Sequence, residues 1–413
     1  MEQENVGLYL GMDISEKYTM ISIYQQHMKE PQTISTIMGS ESYQIPTALA
    51  KKKGVGQWFF GREAKVRVKS GEALGVEDLL DKARTGEEVF LEHEKYAASD
   101  LLAIFLKRVL SLAGSAQAMM PLTKLVICLD KVSVEYMELF SAIMVKLGIE
   151  TDKLLLIDRR ESFYYYALSQ GPETFLHDVV MFDYTESDMV SCRLRRNMHT
   201  TPQVINLDQK NHGKLLDQKD GEFQKIAQDV IDGQVVSAVY LIGDGFDGDW
   251  MKASLQYLCH TRKVFVGKNL YSKGACYAGF IKDGKRDWPF VYIGDNELKL
   301  NLYLKVLVGN EMQFFTLITA GQSWFDEVGE CEVILDGTPE IEVWIQRPES
   351  REAHVELLEL TDMVERERRT SRIRITAEPI SDRKIKITIR DLGFGEIAPS
   401  SNRTWEHTVC LEE

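Results

Sequence analysis

Apolar and polar positions recur along this chain in distinct rhythms, and each rhythm predicts an element. Residues 7–24 read as two short strands, GLYLGMD and YTMISIY, joined by the polar turn Ile14-Ser15-Glu16-Lys17, which makes a hairpin. Turn-rich chain follows to about Gly61, then a polar helix over 62–71 and a second near 76–84. A strongly periodic helix spans 99–112, with Leu101, Leu102, Phe105, Leu106, Val109 and Leu112 at helical spacing. The run KLVICLD at 124–130 predicts a buried strand, 134–147 a helix closed by Gly148, 154–157 a strand, and 161–171 a helix. That last helix carries Phe163 and three consecutive tyrosines, too dense a run for one buried face, so part of it is expected at an interface between lobes.

From residue 178 the opening pattern returns. DVVMFD is a strand, a polar turn follows, and 189–194 is the return strand. Asp13-Ile-Ser15-Glu16 matches Asp183-Tyr-Thr185-Glu186, and Met20-Ile-Ser22 matches Met189-Val-Ser191. Two readings stand: a duplication that gives two similar lobes, each opened by a hairpin with an aspartate ending its first strand, or the general likeness of any two strands that end in a turn. A helix at 221–232, a strand at 235–242, the glycine turn Gly243-Asp-Gly245-Phe-Asp-Gly248, a helix from Asp249, a strand at 264–266 and a small-residue helix at 273–281 complete this half. After Trp288-Pro289 alternation dominates, with about seven strands and tight turns such as Asp336-Gly337, the signature of a β-sandwich. The chain runs about twenty residues past the last of them with no helical tail. The expected fold is therefore α/β plus all-β: lobes at 1–175 and 176–287, the second reduced, and a sandwich at 290–413.

Composition narrows the partners. The 413 residues carry 49 Lys+Arg against 63 Asp+Glu, a net charge of −14, with 44% hydrophobic residues, which excludes disorder and fibrous repeats. The acidic balance makes nucleic acid an unlikely partner, and the apolar runs are far too short to span a bilayer, so a cytoplasmic protein is expected. Six scattered cysteines without a CxxC pair suit reduced thiols, and the isolated histidines give a metal site no support.

The order of short motifs resembles the 70-kilodalton heat-shock chaperones, members of the superfamily that includes actin and sugar kinases. The family's first phosphate turn, Gly-x-Asp-Leu-Gly-Thr-Thr, is here Gly11-Met-Asp13-Ile-Ser-Glu-Lys. Ile45-Pro46-Thr47 and Gly61-Arg-Glu-Ala64-Lys65 follow, and Lys82-Ala-Arg-Thr-Gly86 is similar to the step carrying the family's catalytic lysine. Asp183-Tyr-Thr-Glu-Ser corresponds to the second phosphate loop and Gly243-Asp-Gly245 to the adenosine-side turn. RIRITAEPISDRKIKITIRDLGFG resembles the last strands of the substrate domain. The resemblance implies a two-lobed actin-like ATPase fold with duplicated ribonuclease-H-like lobes, followed by a substrate-type sandwich. It also implies that Asp13, Lys82, Asp183, Gly243 and Gly245 are the nucleotide-side residues, if that site is retained.

The departures point the other way. Phosphate loops use glycine because only bare backbone brings several N–H groups to the anion. Both loops here lack those glycines and carry Glu16 and Glu186 instead. Two like charges about 4 Å apart at an effective dielectric near 20 repel by roughly 4 kcal/mol, about three decades of affinity. The family's proton-relay glutamate falls near Arg159, and only about 60 residues separate Asp183 from Gly243, so the subdomain over the base is cut down. No catalytic residue and no cofactor are expected, with Mg-ATP as the alternative. For Asp13, Asp183 and Lys82 the plain reading is turn capping and a solvated lysine.

Three further features are less specific. Asp244, Asp247 and Asp249 fail as a calcium loop because position twelve is Leu255. Trp324, Trp344 and Phe394 read as core. The basic stretch 366–390 reads as the solvated face of a sandwich, where charges alternate with isoleucines. The expected function is that of a chaperone-like protein that binds a polypeptide or protein partner on the sandwich by strand addition or in a groove, without ATP turnover. The alternatives are an ATP-binding chaperone with weak ATPase activity and an actin-like scaffold.

Overall fold

The computed structural model describes residues 7–37, 39–116, 121–185, 188–325 and 327–411. Two compact units divide the chain: Met1–Arg195 with Leu207–Trp288, and Arg196–Asn206 with Pro289–Glu413. The first is mixed α/β and the second is rich in strands.

The first unit opens with β1 (Leu8–Ile14) and β2 (Tyr18–Tyr24), an antiparallel hairpin in which every β1 residue is buried. Helices α1 (Gly61–Lys69), α2 (Leu79–Thr85) and α3 (Ala98–Ala116) follow, among short strands. Then come β3 (Leu122–Leu129), α4 (Val134–Leu147), β4 (Leu154–Asp158) and α5 (Arg159–Leu168). β3 runs parallel to β1 and β4 parallel to β3, which gives the order β4-β3-β1-β2. Parallel strands flanked by helices lack a wet face, hence the unbroken apolar run in KLVICL.

A second sheet is laid out in the same way. β5 (Asp178–Asp183) pairs antiparallel with β6 (Val190–Asn197), and β7 (Gln203–Asn211) follows. After α6 (Lys219–Ile231) comes β8 (Val236–Ile242), parallel to β5, then α7 (Lys252–Leu258), β9 (Lys263–Gly267) and α8 (Leu270–Lys282). The order is β9-β8-β5-β6-β7. In both sheets the hairpin's first strand sits between an antiparallel and a parallel neighbour and carries an aspartate at or next to its end, Asp183 or Asp13.

Helix α8 buries eleven residues on all sides, including Tyr271, Ser272, Cys276 and Phe280. It lies directly on the first sheet: a Cβ on Gly11 of β1 would come within 2.1 Å of the Ser272 carbonyl oxygen. Glycine in the middle of a strand otherwise weakens it, so this one serves close approach.

The second unit holds β10 (Asn301–Val308), β11 (Glu311–Ile318), β12 (Gly329–Leu335), β13 (Glu340–Gln346), β14 (Ala353–Glu359), β15 (Ser371–Ser381), β16 (Lys384–Asp391) and β17 (Thr404–Cys410). Two four-stranded antiparallel sheets result, β11-β10-β13-β14 and β12-β15-β16-β17. They share one apolar core, with Leu302, Leu304, Val343 and Ile345 from the first sheet and Ile375, Ile387, Ile389 and Val409 from the second.

Several elements differ from the sequence expectations. The helix predicted from residue 76 starts at Leu79, because 73–76 pair as a strand and Asp78 takes a left-handed φ of 50°. The helix expected from Asp249 begins at Lys252. Strands β7 and β17 are absent from the sequence expectations, and β17 brings the long strands among the described residues of the second unit to eight against about seven expected. In β17 the inward positions are Trp405, His407 and Val409, and the histidine hides the alternation. The tyrosine run is more buried than expected: Phe163, Tyr164 and Tyr165 are all enclosed, and the Trp288 indole N–H donates to the Tyr164 hydroxyl.

Candidate functional site

The ends of the two hairpins face a common centre in the first unit. Asp13 is 3% exposed at the end of β1. Arg159 is the first residue of α5, whose N-terminus is capped by Asp158, the carboxylate accepting from the Glu161 amide at 2.8 Å. That cap aims Arg159 inward: its Nε lies 3.4 Å from Asp13 Oδ1, and its guanidinium stacks over the Tyr271 ring at 5.2 Å. The Tyr271 hydroxyl, from α8, donates to Asp183 Oδ2 at 2.5 Å. The other oxygen of Asp183 accepts from the Thr185 amide at 2.8 Å and from its hydroxyl at 2.5 Å. Asp13, Arg159, Tyr271 and Asp183 thus form one connected line between the hairpins.

The electrostatics of this line are tightly coupled. Burial pushes the Asp13 carboxyl up, the Arg159 charge pulls it down, and Asp183 pushes it up again, with a net rise. Burial opposes the charge on Arg159, but Asp13, then Tyr271 and Asp183, outweigh it and hold the guanidinium charged. The Tyr271 hydroxyl is driven well up by burial and by Asp183, so it remains a donor.

The other residues singled out from sequence are engaged elsewhere. Glu16 accepts from the Leu80 amide at 3.3 Å and from the Asp81 amide, which makes it the cap of α2. Burial raises its carboxyl, against the lowering effect of those two amides. Glu186 lies outside the described residues. Lys82 turns its ammonium to the Glu77 carbonyl at 2.9 Å. A hollow of about 430 Å³ beside the first hairpin is lined by Glu16, Asp78, Asp81 and Asp130 against Lys131. Such a wall disfavours an anion.

The glycine turn after β8 is closed by the chain itself. The Gly245 amide donates to the Tyr184 carbonyl at 2.9 Å, and a Cβ on Gly245 would sit 2.2 Å from the Tyr184 ring. Gly243, with φ 105°, would place a Cβ 2.5 Å from the Thr185 amide nitrogen. Asp244 accepts from Gln44 at 2.9 Å and pairs with Lys268 at 2.9 Å, and Lys268 also pairs with Asp247. Further polar ties join the elements around the first sheet to α8 and its start: Ser22 to Ser272 at 2.8 Å, Thr33 to Asn269 at 2.8 Å, and Glu30 to Lys273 at 3.1 Å.

These residues do not fit a magnesium-bound nucleotide. The Arg159 guanidinium lies between the two aspartates, the Lys82 ammonium is taken up by the Glu77 carbonyl, and the Gly243–Gly245 turn is filled by Tyr184. Tyr271 and Tyr184 are the residues that sequence reasoning misses. Tyr271 lies just before the small-residue helix expected from sequence at 273–281 and far along the chain from Asp13, and nothing in its pattern separates it from Tyr277 in the same helix.

In the second unit, the basic stretch is largely paired. Arg368 and Arg369 meet Asp336, Arg372 and Arg374 meet Glu332, Lys386 meets Glu406, and Arg366 meets Asp391. Trp324, Trp344 and Phe394 are half-buried, and Trp324 packs on the core. Most cysteines are buried or half-buried, but Cys259 is exposed. Among the described residues no cluster of metal-ligating side chains occurs, and no helix is long and apolar enough to cross a membrane.

Residues 30–295 match the C-terminal model of a family of unknown function, DUF5716, and residues 297–411 match a domain of unknown function, DUF8552. No curated protein matches the chain.

Proposed function

The chain belongs to the DUF5716 family of unknown function, and we propose that it is a chaperone-like protein that binds an extended polypeptide through its strand-rich unit without ATP turnover. On this reading it is a divergent relative of the 70-kilodalton heat-shock chaperones, with an actin-like two-lobed shell and a substrate-type β-sandwich. Support for the shell comes from the two sheets that open alike, and support for the sandwich from two four-stranded sheets on one core.

The observation that carries the reading is the hairpin of β10 and β11. β11 is an edge strand that exposes Met312 57%, Phe314 56% and Phe315 41%, and the neighbouring end of β10 exposes Leu307 46% and Val308 56%. Edge strands offer a free row of backbone donors and acceptors, and natural proteins usually blunt them with charge or proline. An apolar edge left uncovered favours a use for it: main-chain pairing supplies affinity and alternate side chains supply selectivity. The ATP-driven alternative is weakened by Arg159, which holds the position a metal-bound phosphate needs.

Fluorescence anisotropy with a tiled library of labelled peptides tests the reading. Apolar extended peptides should bind, Phe314→Glu or Phe315→Glu should weaken binding by roughly tenfold or more, and Mg-ATP should leave affinity unchanged. Peptides that bind neither the native chain nor the variants, or that bind both equally, would remove the proposal.

A further inference from the structure

We propose that Arg159 is a built-in counter-cation that replaces the metal–nucleotide pair and fastens the two hairpins permanently, so that the first unit is closed without any ligand. This rests on the no-turnover half of the reading above. Its basis is geometric. One positive charge is held between Asp13, by an ion pair at 3.4 Å, and Asp183, by way of the Tyr271 ring and hydroxyl. Asp130, on the solvent side, adds a further ion pair at 3.8 Å. Arginine suits the place better than lysine would, because its planar group can donate along its edge while its face stacks on an aromatic ring.

The rest of the fold accords with a fixed closure. Gln44 reaches Asp244, Ser22 reaches Ser272, and Thr33 reaches Asn269, each by a side-chain hydrogen bond of 2.8–2.9 Å. A cleft that must open to exchange a nucleotide would have to break these ties and strand a buried guanidinium. A cleft that never exchanges keeps them.

Thermal unfolding of the full chain tests this. Arg159→Met, which keeps the volume and removes the charge, should lower the midpoint of the first unit by on the order of 5–10 °C, because the Asp13 carboxylate loses its partner. The double variant Asp13→Asn with Arg159→Met should regain at least half of that loss. Arg159→Lys, which keeps the charge but not the stacked fork, should fall between native and Arg159→Met and serves if the methionine variant does not fold. Saturating Mg-ATP should not move the native midpoint.

A rise of about 5 °C or more with Mg-ATP would overturn the proposal, since a ligand at 100 times its Kd stabilises by that order. So would equal losses in the single and double methionine variants, which would mark the effect as packing and not charge. Peptide anisotropy on the same samples separates the two hypotheses. If the native chain binds no peptide while the Arg159 series behaves as described, the binding reading fails and the counter-cation stands. If peptide binding persists while the Arg159 series fails, the counter-cation is lost and the binding reading stands.

Discussion

Asp391 is a heavily bonded carboxylate of the second unit. It is 1% exposed, takes two parallel bonds from Arg366 at 2.8 and 2.7 Å, and accepts from the Ser401 amide and hydroxyl and the Gly393 amide. Burial alone would raise its pKa, but the bonds from Arg366, Ser401 and Gly393 more than reverse this and hold it well below the usual carboxylate range. A depressed folded value means that its contribution is fully present above the unfolded value, about 3.9, and is lost as pH falls below it. Asp391→Ala, which strands a buried arginine, should cost about 3–5 kcal/mol in chemical unfolding at neutral pH. Asp391→Asn should flatten the loss of stability of this unit between about pH 4 and pH 2, as followed by circular dichroism. A second residue-scale prediction concerns Gly243, whose φ of 105° and 2.5 Å approach to the Thr185 amide leave no room for a side chain. Gly243→Ala should destabilise by about 2 kcal/mol or more, which a shifted denaturant midpoint would record.

Helix α2 has only seven residues and draws its N-terminal support from another element: its own flanking Asp78 gives no side-chain cap, and Glu16 from the first hairpin supplies it. Glu16→Ala should therefore cost about 1 kcal/mol and speed hydrogen exchange at the Leu80 and Asp81 amides, with the exchange of α3 little changed. The same residue marks the limit of what periodicity conveys. Elements with a long apolar pattern are legible, α3 and α4 because one face of each has to be buried and β3 because both of its faces are. The short and polar ones are not: β7 exposes its DQKN end, and β17 hides its inward row behind His407. For the site, sequence places Asp13 and Asp183 correctly at the ends of hairpins, but which way Glu16 and Lys82 turn depends on α2, a helix that starts at Leu79 and not at residue 76. Arg159 is visible as a departure from a motif; that it fills the space between two aspartates depends on Tyr271, more than 100 residues away.

At the scale of the whole chain, two compact units predict two cooperative transitions. Differential scanning calorimetry should resolve them, with Asp391→Ala moving one and Arg159→Met the other. A single transition that both variants shift together would contradict this. The position of α8 carries a further consequence. It is the last helix of its unit, yet it lies on the first strand, with Gly11 against Ser272 and Cys276. During synthesis, β1 emerges well before the helix that covers it and keeps an apolar flank bare until about 260 residues have followed it, a delay that favours aggregation. A fragment ending at residue 175 should be insoluble, and adding a synthetic peptide of residues 268–286 in trans should recover part of it. The order of translation, and not the order of the sheets, makes the opening hairpin the last piece to settle.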